Sequence, residues 1–483
     1  MHLRIAAVAF LCTLCFCSQA RTLAPTEQLA RDIFAELIAI DTTDETGSVT
    51  QAAEAMARRL RAAGIPQASI FIGGPHEKRH NLVVRLPASR DASPARGRQP
   101  AKPILFIGHL DVVAAPRVDW ATEPFQLVEQ DGYFYGRGTQ DMKGSDAILV
   151  ANLIRLAQEG YRPQRDIIVA LTAGEESFRD NGMKWLTEQQ RQLVDAEFVI
   201  NPDGGGVLME NARAVAVVVD AAEKLYADFR VTTIHPGGPS ALPPQDNAIY
   251  RLAHALARLD QHRFPVELNP VTRAYFEATA ASADEARRKD IAAILAPRPQ
   301  QDVIDRMSAA VHDNASLRTV CTATRLQAGH ANNALPQQAE ALINCRILPG
   351  HSPEEVRRQL LALFDDSRLQ VQYVREFDGK VFDVAPQEVA MPATAPRPDV
   401  FDPLRRIAGA MWPGVPIIPA MSVGESDAVW TQAAGMPTYA ISGLARDRND
   451  VRAHGKDERI AVDGFYQGLE FLYRYMKALT GGT

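Results

Sequence analysis

Three short apolar runs stand out along the chain: Ile104-Leu105-Phe106-Ile107, Ile167-Ile168-Val169-Ala170-Leu171 and Phe198-Val199-Ile200. Unbroken apolar runs of this length are the pattern of strands buried on both faces of a parallel sheet. Between and before them the spacing predicts helices over Thr26 to Ile40, Gln51 to Ala63 and Gly144 to Glu159, and a further strand over Asn81 to Leu86. Strand and helix alternate from about Ala30 to Asp203, which is α/β order. Pro87 to Pro103, rich in Pro, Ala and Arg, predicts an exposed loop.

Near Lys224 the pattern shifts. Tyr226 to Val231 predicts a strand, a Gly/Pro-rich loop follows, Asn247 to Leu259 predicts an amphipathic helix, and strands and helices continue to about Phe377. Within this stretch, Asp284 to Ala309 predicts helical segments broken by Pro297 and Pro299. The α/β character returns with a helix around Phe401 to Met411, a strand near Pro416 to Pro419 and a closing helix from Asp463 to Ala478. The expected organisation is a discontinuous α/β domain with a mostly parallel sheet, residues 21–223 and 378–483, interrupted by an inserted α+β domain, residues 224–377.

Met1-His2-Leu3-Arg4, an apolar run from Ile5 to Cys17, and Ser18-Gln19-Ala20 form the pattern of a cleaved export signal over residues 1–20. The expected location is therefore periplasmic or secreted. That run is too short to span a bilayer, and no later stretch reaches the roughly 18 apolar residues of a membrane helix. The 483 residues are 46% hydrophobic, enough for large cores, and carry a formal charge of −6 with acids and bases intermixed. Such a distribution excludes an electrostatic footprint for nucleic acid. Beyond the leader only Cys321 and Cys345 remain, too few for a thiolate zinc site, so any metal must use nitrogen and oxygen donors. The two flank a predicted hairpin through Asn333; they either pair across adjacent strands or stay as buried free thiols.

Each apolar run is followed by polar residues placed at a strand's carboxyl end, where open α/β sheets gather ligands. His109-Leu110-Asp111 follows the first run, Gly174-Glu175-Glu176 the second and Pro202-Asp203-Gly204-Gly205 the third. Gly138-Thr139-Gln140-Asp141 leads into the helix from Gly144, and Ala453-His454-Gly455 lies in the returning half. His109, Asp141, Glu175, Glu176, Asp203 and His454 are thus six candidate groups for metal binding and catalysis. Two dications would be formally neutralised by Asp141, Glu176, Asp203 and one hydroxide, with the histidines as neutral donors. Mixed histidine and carboxylate ligands are those of catalytic zinc. With Glu176 coordinating, Glu175 is free to take a proton from water whose pKa the metals lower toward about 7. Asp111 is placed to hold the other N–H of the His109 imidazole. The glycines after Asp203 allow close backbone approach.

Two other signals read as bland. His76-Glu77-Lys78-Arg79-His80 has the spacing of a zincin motif, which needs both histidines on one helix face. Gly73-Gly74-Pro75 before it and the strand from Asn81 leave room for about one turn, so a turn is expected. No G-x-S-x-G elbow occurs, and Asp427 in Gly424-Glu425-Ser426-Asp427-Ala428 reads as a helix cap.

Gly108 to Val113, Gly136 to Gly144, Gly174-Glu175-Glu176 and His454 to Glu458, taken together, resemble the dizinc metallopeptidase and amidohydrolase family that includes glutamate carboxypeptidase, aminoacylase, acetylornithine deacetylase and succinyl-diaminopimelate desuccinylase. The resemblance covers essentially all of the mature chain. It implies two Zn²⁺ per subunit, with Co²⁺ or Mn²⁺ as alternatives. Asp141 would bridge the ions, His109 and Asp203 hold one, Glu176 and His454 hold the other, and Glu175 act as general base. It also implies that the insert is a lid that mediates homodimerisation. His235 matches the lid histidine that reaches a neighbouring subunit's site, although Pro236-Gly237-Gly238 replaces the small hydroxyl residues usual after it. Asn333 matches the lid's Asn-containing motif, and Arg346 an arginine that binds a substrate carboxylate. The implied activity is hydrolysis of an amide or peptide bond next to a free carboxylate, in a small peptide or N-acyl amino acid. An aminopeptidase, which needs a free substrate amine, is the nearest rival. A non-catalytic binding protein is the distant one, because it could lose Glu175 while this chain keeps it.

Overall fold

The computed structural model describes residues 22–89, 101–387 and 393–481. The expected leader and most of the Pro, Ala and Arg-rich loop lie outside the described residues. The apolar runs become the strands Ile104–His109, Ile167–Thr172 and Phe198–Asn201. The first lies between the other two and runs parallel to both, so their carboxyl ends reach one edge of the sheet. They belong to a ten-stranded sheet whose centre is parallel and whose rim includes antiparallel strands.

Side chains of a strand alternate between faces, and here both faces are covered. Phe106, Val169 and Ile200 enter one core with Phe34 and Phe465, while Leu105, Ile107, Ile168 and Val199 enter another with Met183 and Leu186. This double burial is the reason the strands read as unbroken apolar runs. The first core also joins the two ends of the chain. Phe34 of the helix Pro25–Ala39 stacks on Phe465 of the helix Val462–Thr480, ring centroids 4.8 Å apart.

The second sheet has five antiparallel strands, in the order Val320–Ala328, Gln338–Ile347, Leu225–Ile234, Leu369–Val374 and Val381–Phe382. Gln338–Ile347 alternates strictly, with Ala339, Ala341, Ile343, Cys345 and Ile347 buried beneath the helices Ala248–Gln261 and Pro353–Phe364. The stretch containing Pro297 and Pro299 forms the helices Glu285–Ile294 and Gln301–Ser308, with a small core of their own around Phe276, Ile294 and Met307. Cys321 and Cys345 lie opposite one another in register and are joined as a disulfide. It ties the exposed edge strand to the sheet. A chain starting at Arg21 is expected to show no free thiol when denatured without reductant and two after reduction; two before reduction would exclude the bond.

Candidate functional site

His109 is the last residue of its strand, and Glu175 and Asp203 follow the two flanking strands by a few residues. Because all three strands are parallel, the turns of the chain bring these groups together on one edge of the sheet. Asp141 precedes the helix Lys143–Gln158, across a cis peptide to Met142. His454 arrives from the returning half of the chain.

Donor atoms of His109, Asp141 and Glu176 lie within 4.8 Å of one another, and so do those of His109, Glu175 and Asp203. Asp141 divides its oxygens between the histidines: Oδ1 is 3.0 Å from His109 Nε2 and Oδ2 is 3.1 Å from His454 Nε2. His109 Nε2 is also 3.7 Å from Asp203 Oδ1, and His454 Nε2 is 3.0 Å from Glu176 Oε2. Two ligands about 2.1 Å from one tetrahedral ion stand roughly 3.4 Å apart. The separations of 3.0 to 3.7 Å among these donors are of that size.

The protonation pattern has the same cause. Burial lifts the Glu176 carboxyl to about 7 and the Glu175 carboxyl well above its usual range. At Asp141 burial pulls upward too, but hydrogen bonds from His109 and His454 outweigh it and bring the carboxyl below the usual range. Hydrogen bonding to Asp141 and then Glu176 raises His454 to about 10. Crowded carboxylates thus favour positive charge beside them, which dications can supply.

Asp111 departs from the expectation. The partner of His109 Nδ1 is the backbone carbonyl of Asp111, 3.0 Å away, while its carboxylate is 3.8 Å off. That carboxylate instead accepts the backbone N–H groups of Glu175 (3.3 Å) and Glu176 (3.0 Å). A donating Nδ1–H still leaves the Nε2 lone pair facing Asp141. Asp427 holds the N-cap position of a helix but makes no cap bond. It accepts from Thr172 Oγ1 at 2.6 Å and Asn181 Nδ2 at 2.7 Å, bracing the turn beside Glu175. As expected, the glycines after Asp203 permit close approach. Gly205 has φ +63°, and a Cβ there would sit 2.4 Å from the Ala440 carbonyl oxygen.

Glu458 is a residue that sequence reasoning passed over. Fully buried, it accepts from Arg137 Nη1 at 2.6 Å and from the backbone N–H groups of Gly138, Gln140 and Asp141 at 3.1, 2.6 and 3.0 Å. Gln140 in turn accepts the N–H groups of Arg452 and Ala453. The loops carrying Asp141 and His454 are therefore locked together. The available signal was a pair of opposite charges, Arg137 and Glu458, in the two motifs flanking those residues.

A cavity of about 330 Å³ is lined by Asp141, Glu175, Glu176, Asp203, His454 and, from the five-stranded sheet, Arg346. The Arg346 guanidinium lies 4.6 Å over the Tyr226 ring and pairs with no carboxylate among the described residues. His235 and Asn333 do not line this cavity. They lie on two paired segments, with His235 N–H donating to Gln337 O at 2.8 Å and Ser240 N–H to Asn333 O at 3.0 Å. His76 to His80 form the turn between the strands Ile70–Gly73 and Asn81–Leu86, not a helix, and belong to neither donor cluster.

The sequence profile of peptidase family M20/M25/M40 matches residues 105–478. The chain belongs to that family. As an M20 member it is a metal-dependent hydrolase. The N-fatty-acyl-amino acid synthase/hydrolase PM20D1 of Xenopus tropicalis is 28% identical over 375 residues, 76% of this chain and 71% of that protein. Among solved structures, the M20 family metallo-carboxypeptidase Sso-CP2 from Sulfolobus solfataricus superposes with a TM-score of 0.68 at 16% identity, covering 93% of this chain and 99% of that one. The Bacillus subtilis YXEP protein, a dinuclear metal-binding M20 peptidase, gives a TM-score of 0.56 at 12% identity over 94% and 98% of the two chains. These likenesses show the M20 fold, a mixed α/β architecture with a mostly parallel central sheet.

Proposed function

We propose that this chain is an exported hydrolase of amide bonds adjacent to a free carboxylate, acting on N-acyl amino acids or small peptides. The observation that carries the reading is the division of Asp141's oxygens between His109 and His454, in a cavity that Arg346 also lines. His109 and Asp203 would hold one zinc ion and Glu176 and His454 the other, with Asp141 between them; cobalt or manganese suits the same donors. When bound, the ions polarise the scissile carbonyl and lower the pKa of water toward about 7.

The chain's own groups do the rest. Glu175, whose Oε2 lies 3.9 Å from His109 Nε2, accepts the proton of the attacking water and returns it to the leaving nitrogen. Asp111 fixes the backbone of Glu175 and Glu176 and so keeps that carboxylate in line. Arg346 binds the substrate carboxylate with charge-assisted hydrogen bonds. His235, from the lid of a second subunit in a homodimer, donates to the carbonyl oxygen as negative charge develops there, with Asn333 beside the substrate. The relative named for N-fatty-acyl amino acids favours acylated amino acids over peptides as substrates.

A panel of N-acyl amino acids, free dipeptides and carboxyl-blocked peptides tests the reading. The carboxyl-blocked members should be the poor ones; if they are cleaved best, an aminopeptidase replaces it. Arg346→Ala is expected to raise KM for free-carboxylate substrates by about 10- to 100-fold, the worth of a charged hydrogen bond, with little change in kcat. Mixing His235→Ala with Glu175→Ala subunits should restore activity after exchange, since each heterodimer has one site with both groups. Confirmed exchange with no recovery would remove His235 from the site.

A further inference from the structure

Glu176 lines two cavities. One is the Arg346 cavity; the other, about 540 Å³, lies beyond it and is lined at its inner end by Asp111, Gly174 and Glu176. The residues that continue from Asp111 make its wall, Val112, Val113 and Ala115, faced by Val49 and Phe125. That wall is apolar where it leaves the metal-ligand cluster. Its volume falls within the roughly 300–1,000 Å³ of small-molecule pockets.

The opposite side is held rigid by its own hydrogen bonds. The Asp41 carboxylate accepts the N–H and hydroxyl of Thr43 at 2.9 and 2.7 Å and the Thr46 hydroxyl at 2.7 Å. Thr42 Oγ1 donates to Leu110 O at 2.7 Å, which ties this loop to the exit of the strand ending at His109. Of the charges at the rim, Asp44 is paired with Arg79 and lies 3.5 Å from Arg179, while Glu45 and Lys78 are exposed. A preformed apolar wall beside the cluster gives an apolar chain a place to shed water.

An amide substrate has two arms. Resting on the proposal that Arg346 anchors the carboxylate, the amino-acid arm occupies the smaller cavity and the carbonyl sits at the cluster around Asp141. The acyl arm must then leave on the other side of Glu176. We infer that the larger cavity is an acyl subsite that takes a linear apolar chain well beyond acetyl in length. The turn holding His76 and Lys78 lies at the same cavity, which gives the segment with zincin-like spacing a place beside the substrate without any metal.

The test is a series of N-acyl derivatives of one amino acid, from acetyl through butanoyl, hexanoyl and octanoyl to decanoyl. In the wild type kcat/KM should rise about fourfold per methylene until the cavity is filled, and then level. Ala115→Trp, which fills the half-buried wall, should lower the ratio of octanoyl to acetyl kcat/KM by about tenfold or more. Phe125→Ala, which opens the far wall, should move the plateau to longer chains. Hydrolysis of the whole series with equal kcat/KM, or an unchanged octanoyl-to-acetyl ratio in both variants, would overturn the acyl subsite and leave the amide-hydrolase reading standing. No hydrolysis of any member, acetyl included, would overturn both.

Discussion

Replacing Glu175 by Ala should lower kcat by about 10²–10⁴-fold, the usual range for a positioned general base, while metal content stays near that of the wild type. The two halves of that result come from different atoms. The carboxylate proposed to be shared is Asp141, whose oxygens face the two histidines, and Glu176 is the residue within 3.0 Å of His454. Glu175 is held beside them by the same turn. Elemental analysis beside steady-state kinetics reads both halves at once. Unchanged turnover would remove Glu175 as the base, and loss of metal would make it a ligand. Asp141→Ala supplies the contrast, since removing the carboxylate between the histidines should release metal together with activity.

The second large effect is expected at a residue that touches neither metal nor substrate. Glu458→Ala leaves the Arg137 guanidinium buried without its partner and three backbone N–H groups without an acceptor. Breaking a buried ion pair from one side costs about 3–5 kcal/mol. Denaturant unfolding should show this as a lowered midpoint. Because the loops of Asp141 and His454 lose their common anchor, metal affinity measured by competition with a chelator should fall too. A variant with wild-type stability and affinity would mean that the cradle around Glu458 is replaceable by water.

Much of the architecture was legible because it is local. Strands buried on both faces read as apolar runs, so Ile104–His109 and Ile167–Thr172 could be placed from sequence, and with them the edge where His109 and Glu175 emerge. What could not be read depends on atoms distant in the chain. Asp111 was expected to serve His109 through its carboxylate, yet the nearer carbonyl does so and the carboxylate turns to Glu175 and Glu176, 64 and 65 residues away. Asp427 sits at a helix start as expected, but its side chain bonds Thr172, 255 residues earlier. For the cysteines, two residues flanking a hairpin did not specify the register that sets Cys321 against Cys345.

The distance between Arg137 and Glu458, 321 residues along the chain, also sets an order of events during synthesis. His109, Glu175 and Asp203 are all synthesised well before His454. Until the segment through Glu458 has emerged and docked, the loop of Asp141 lacks its anchor and one of the two proposed cation sites lacks its histidine. A product that ends before His454 would therefore lack that histidine, the Glu458 anchor and the core residues of the helix Val462–Thr480, and could not complete the proposed pair of sites. Full metal content would then report that the segment through Glu458 has docked.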